Sequence, residues 1–179
     1  MPIVEQQSGT VLASIPKRDS PCDVFISKNN VKLLDLPPGA VVGTGSLRRL
    51  AEIKYLRPDL EVDPIRGNID TRIGKVRKGE IAGIVLAEAG LERMGIIDEM
   101  AERLPLDQFP SAAGQGAIAI VAKEGNSEVI KIMQSVEDKA TWAEITAERS
   151  LVLKLEGGCR VPIGAVGHCL LYTSPSPRD

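Results

Sequence analysis

At 179 residues the chain has room for about one or two domains. Its net charge of −2 provides no global basic field for nucleic acid or an anionic membrane surface, and 3 % aromatics leave few rings for base stacking. No apolar run approaches the roughly 20 residues of a spanning helix, and three cysteines (Cys22, Cys159, Cys169) show no metal-ligand spacing, so a soluble protein of a reducing, cytoplasmic compartment is expected.

Met1–Val4 runs into a polar turn without an opening strand or helix, and reads as an internal start within a longer protein. Asp23–Ser27 alternates and predicts a strand. Leu36-Pro37-Pro38-Gly39 is a turn, and Val41–Thr44 a second strand. Ser46 is a good N-cap for a helix through Arg57 with Leu47, Leu50, Ile53 and Leu56 on its apolar face, stopped by Pro58. Glu61–Ile65 predicts a strand, Ile69–Lys78 a helix ended by Gly79, and Gly83–Ala87 a further short apolar strand. This alternation argues for a parallel sheet of βαβ units, with ligands bound beyond the carboxyl ends of its strands.

After Phe109-Pro110-Ser111 the pattern changes. The small-residue stretch Ala112–Gly116 precedes a predicted strand Ala117–Ala122 and helices Ser127–Val136 and Asp138–Leu155, the second striped by Ile145, Val152 and Leu155. Gly157-Gly158 ends it, Cys159–Pro162 is a turn, and Ile163–Gly167 reads as a strand. Residues 169–179 break in composition and resemble a translated sequencing adapter, so they carry no weight for fold or function.

Three loops place arginine where a strand ends and a helix begins. They are Gly43-Thr44-Gly45-Ser46-Leu47-Arg48-Arg49, Arg66-Gly67-Asn68 with Arg72, and Ala87-Glu88-Ala89-Gly90 with Arg93. A helix N-terminus offers free N–H groups and partial positive charge, and arginine adds a bidentate fork for carboxylate. Cations at a helix N-terminus are mildly unfavourable unless an anion joins them. Each pair alone also reads as a solvated surface feature; three at equivalent positions point to a polyanionic ligand. Cys159 by spacing alone reads as an inert small hydrophobe, although Arg160 beside it would favour the thiolate. Trp142 and His168 read as structural.

With Leu155–Gly164, Ala87–Arg93 and Gly114-Gln115-Gly116-Ala117, these motifs closely resemble porphobilinogen deaminase, the hydroxymethylbilane synthase family, from Pro2 to about His168. The resemblance implies an α/β fold of periplasmic-binding-protein-like type II lobes. It implies a transferase of tetrapyrrole (haem, porphyrin) biosynthesis that joins four porphobilinogen units with release of ammonia. A dipyrromethane cofactor is then held as a thioether on Cys159. Thr44, Ser46, Arg48, Arg49, Arg66, Arg72 and Arg93 would contact cofactor or growing chain, with Gly67, Asn68, Ala87 and Gly90 lining the same cleft.

The implied organisation is a partial first lobe (1–15 and 111–152), a complete second lobe (16–110) and the start of a third domain (153–168). In the family the catalytic carboxylate belongs to a Lys-Asp pair just ahead of the segment matching Met1-Pro2. No catalytic residue is therefore expected in this chain, and Asp63 and Asp70 read as surface salt-bridge partners. The expected partners are porphobilinogen and the growing pyrrole chain, without nucleic acid or membrane, in a monomeric parent. The alternative is a non-catalytic anion-binding module of the periplasmic-binding type, for which a thioether cysteine has no use.

Overall fold

The computed structural model describes residues 8–155 and 161–169. A five-stranded sheet dominates it, in the order β4-β3-β5-β2-β6. Its strands are β2 (Asp23–Ser27), β3 (Val41–Gly43), β4 (Glu61–Asp63), β5 (Gly83–Ala87) and β6 (Glu102–Arg103). Helices α1 (Leu47–Leu56), α2 (Ile69–Lys78) and α3 (Glu88–Met94) connect or follow the parallel strands. β3 pairs in parallel with β4 and β5, as expected, whereas β2 runs antiparallel to β5 and β6. The sheet is therefore mixed. The α/β class expected from the sequence holds, with β2 as the entering strand laid against the βαβ units.

Two apolar clusters cover the two faces. Phe25, Val42, Ile53, Leu60, Val85 and Phe109 pack with the α1 side. Val24, Ile26, Ile73, Val76, Ile84, Leu86 and Leu91 pack under α2 and α3. Successive residues of a strand point to opposite faces, so Val24 and Ile26 serve one cluster and Phe25 the other. β2 is thus buried at all five positions, rather than half-exposed as its alternation suggested. Its partner β5 approaches so closely that a Cβ on Gly83 would lie 2.2 Å from the Phe25 ring.

Local signals place the helix ends. The Ser46 side chain accepts from Arg49 N–H, the Asn68 side chain from Thr71 N–H, and Gly79 closes α2 at φ +76°. The apolar face expected for α1 is narrower than its sequence suggests. Ile53 is buried, but Leu47 and Leu50 are exposed, and Arg48 takes the buried position facing the sheet.

Outside this sheet, β1 (Thr10–Ser14) pairs antiparallel with β7 (Ile120–Lys123). The N-terminal region therefore does contain an opening strand, and the strand expected at Ala117 begins three residues later, after a turn closed by Ala117 N–H on Gly114 O. α4 (Ser127–Gln134) and α5 (Lys139–Lys154) follow, the latter capped by Asp138 on Thr141 N–H. Ile145 and Val152 are buried, but Leu155 is exposed. Residues 163–167 form no strand; Ala165 N–H donates to Ser111 O, and Gly167 N–H to Glu148.

Candidate functional site

The loops after β3 and β4 meet at the carboxyl ends of their strands, the usual ligand position in an α/β sheet. They enclose a cleft of about 450 Å³ lined by Gly45, Ser46, Arg49, Pro64, Ile65, Arg66, Gly67 and Arg72. Two glycines make the walls. At Gly67 the backbone is left-handed, φ +116°, and a Cβ would also press within 3.0 Å of Thr71; one on Gly45 would meet Ile65 O at the same distance. The Thr44 hydroxyl, buried behind the loop, accepts from Ser46 N–H at 3.2 Å. Asn68 Oδ1 accepts from both the N–H and the hydroxyl of Thr71, fixing the start of α2.

The arginines divide by what holds them. Among the described residues Arg66 has no hydrogen-bond or ion-pair partner, and it is exposed where it lines the cleft. Arg72 donates through Nε to Gly67 O at 2.7 Å, which braces both the side chain and the loop. Arg49 lies deeper, its side chain 12 % exposed, donating to Asp23 Oδ1 at 2.7 Å and Val85 O at 3.1 Å. Arg48 is not a lining residue of this cleft. It is 5 % exposed and committed to Asp23 at 2.6 Å, Glu52 at 2.8 Å and Pro110 O at 2.7 Å, with its guanidinium 5.9 Å from the centre of the Phe109 ring.

The third loop stands apart from this cleft. Arg93, in the last turn of α3, donates to Asp19 and to Gly116 O at 2.8 Å, tying the helix to the segment that enters β2 and to the return connection, residues 111–119 between the large sheet and β7. Ala87 ends β5, and Gly90 faces Ile69 of α2, where a Cβ would come within 3.1 Å. Cys159 lies outside the described residues.

Two carboxylates that no sequence motif marks, Asp23 and Glu52, organise the arginines. Asp23 is fully buried and receives Arg48, Arg49 and Gln115. The available signal at Asp23 was a charged residue directly ahead of the apolar run Val24-Phe25-Ile26. Glu52, one turn beyond Arg48, is pushed up to about 7, chiefly because burial penalises its charge more than the neighbouring Arg48 favours it.

The family model described as "Porphobilinogen deaminase, dipyromethane cofactor binding domain" matches residues 1–131, and that described as "Porphobilinogen deaminase, C-terminal domain" matches residues 142–172. The chain belongs to the porphobilinogen deaminase family. It is 47 % identical to porphobilinogen deaminase 1 of Streptomyces coelicolor over 169 residues, covering 92 % of this chain and 53 % of that protein. It is 43 % identical to the porphobilinogen deaminase of Desulforudis audaxviator over 159 residues, covering 89 % of this chain and 52 % of that protein. The chain thus spans about half the length of the curated relatives it matches. Among solved structures, a YaeC-family lipoprotein from Enterococcus faecalis aligns with 18 % identity and a TM-score of 0.47, over 79 % of this chain and 68 % of that one. No helix among the described residues is long and apolar enough to cross a membrane.

Proposed function

We propose that this chain carries the cofactor- and substrate-binding lobe of a hydroxymethylbilane synthase, the transferase that condenses four porphobilinogen units with loss of ammonia. One observation carries the reading: Arg49, Arg66 and Arg72 line a single cleft at the ends of two parallel strands. Pyrroles bearing acetate and propionate groups present the carboxylates that such a set recognises. The donor chemistry fits a dipyrromethane, with Arg49, Arg66, Arg72 and Ser46 as the groups that would hold it and Cys159 as its attachment point. When bound, that group supplies the nucleophilic pyrrole carbon for chain extension. The protein's own part is to fix carboxylates, neutralise their charge and hold the backbone donors of the loops still.

Thr44, Gly67 and Asn68 shape the loops, while Arg48 acts from behind the cleft, through Asp23. Arg93, Ala87 and Gly90 are assigned to an outer part of the same surface, for the growing chain. The catalytic carboxylate is assigned to no residue of this chain: Asp23 is taken up by Arg48 and Arg49, and Glu52, beside Arg48, does not line the cleft. Turnover of porphobilinogen by the 179-residue chain itself would contradict that assignment. The pairing of β1 with β7 supports grouping 1–15 with 111–152 as one partial lobe beside lobe 16–110, with 153–168 leading to a third.

Titration calorimetry with a dipyrromethane carrying free acetate and propionate groups, against its fully esterified form, tests the reading. Binding should be confined to the acid, weaken with salt, and fall by roughly one to two decades in Arg66→Leu. The exposed control Lys131→Leu should bind as the parent does. Equal binding of acid and ester would overturn the assignment. Intact mass of the protein grown with and without Cys159→Ser reads the thioether independently.

A further inference from the structure

We propose that Asp23 is the positioning residue of the cleft, fixing the guanidinium of Arg49 against its wall. The proposal rests on the carboxylate-binding reading above. Arg49 differs from the other cleft arginines in depth. Arg66 is exposed and Arg72 half-buried, whereas the Arg49 side chain is nearly enclosed. An enclosed guanidinium needs a partner charge, and a long side chain needs anchors if it is to meet a ligand without losing rotational freedom at that moment.

Asp23 meets both requirements. Its Oδ1 accepts from Arg49 Nη2 at 2.7 Å and from Gln115 Nε2 at 2.9 Å, and its Oδ2 accepts from Arg48 Nη2 at 2.6 Å. The carboxylate is fully buried at the head of β2, between β5 and β6, so its backbone is held on both sides. Arg49 Nη1 reaches Val85 O on the adjacent strand. The guanidinium is thereby gripped at two nitrogens, while Nε is uncommitted among the described residues. Arg48 and Gln115 act one step further back: each spends a donor on Asp23 and none on the cleft lining. A rigid chain of contacts therefore runs from the return connection, through Gln115 and Asp23, to Arg49.

Two readouts on the 179-residue chain test this. The first is nitrogen-detected NMR of the arginine side chains in the unsubstituted protein. Arg49 should show slowed guanidinium rotation and protected Nη protons, in contrast to Arg66. Free rotation of Arg49 would overturn the proposal without any variant having to fold. The second is a double-mutant cycle of Asp23→Asn and Arg49→Lys, read by affinity for the dipyrromethane acid. Asp23→Asn alone should weaken binding by about tenfold, and should cost less than about twofold once Arg49→Lys is present. Independent, multiplying losses would assign Asp23 a general structural role and overturn the proposal, as would unchanged affinity in Asp23→Asn. Should the unsubstituted chain bind no acid, the functional reading fails, and the rotation measurement still decides the role of Asp23.

Discussion

Glu148 of α5 grips Arg18 through both carboxylate oxygens, at 2.6 and 3.3 Å, with the two side chains 1 % and 6 % exposed. The same carboxylate accepts from Gly114 N–H at 2.7 Å and Gly167 N–H at 2.8 Å. One buried anion therefore joins the segment entering the large sheet, the segment returning from it and the residues after α5. Arg18 adds Gln115 O at 2.8 Å through Nε. Removing one partner of such a pair strands a buried charge, which costs about 3–5 kcal/mol. Glu148→Ala should lower stability by that amount in urea denaturation, and a loss near that of a surface substitution would show that the junction is not held this way.

Glu52 makes stability depend on pH in a predictable direction. Its native value of about 7 lies above the ordinary 4.5, because burial outweighs the attraction of Arg48. Over that interval the unfolded chain loses this proton while the native chain keeps it. The contribution of Glu52 is thus fully present below about pH 4.5 and is lost as pH rises through about 7. Glu52→Gln should flatten this part of the profile. Denaturation series between pH 5 and 8 on both proteins provide the comparison, and parallel profiles would rule out the linkage.

Gly83→Ala probes the contact between the two central strands. A methyl there would lie 2.2 Å from Phe25 Cζ and 2.8 Å from Ile26 O, with backbone on one side and a packed ring on the other. Overpacking of this kind costs about 1–3 kcal/mol or more. Thermal unfolding should shift downward accordingly; an unchanged midpoint would mean that β2 and β5 can separate at no cost.

Residues 16–110 should fold when produced alone. Both apolar clusters are built entirely from residues within 24–109, so neither depends on β1, β7, α4 or α5. Hydrogen exchange should find protected amides in β3 and β5 of the isolated segment. Uniformly rapid exchange there would make the lobe dependent on the rest of the chain.

Much of this protein was legible locally. Ser46 caps the helix it precedes and Gly79 takes the left-handed backbone that ends α2, both as read from the sequence, because these interactions span only a few residues. The spacing of Gly45, Ser46, Arg49, Arg66, Gly67 and Arg72 likewise carried enough information to place a cleft, since loops that follow parallel strands must meet at one edge of the sheet. Pairing between distant segments was not legible. The antiparallel entry of β2, the two-residue β6 and the β1–β7 ladder are chosen by burial against residues far away in sequence. The same holds for charge. Arg48 and Arg49 are adjacent and chemically alike, yet one is buried behind the sheet's edge and the other lines the cleft. Asp23 pairs with both, and only the tertiary placement of α1 against the sheet decides which of the two side chains lines the cleft.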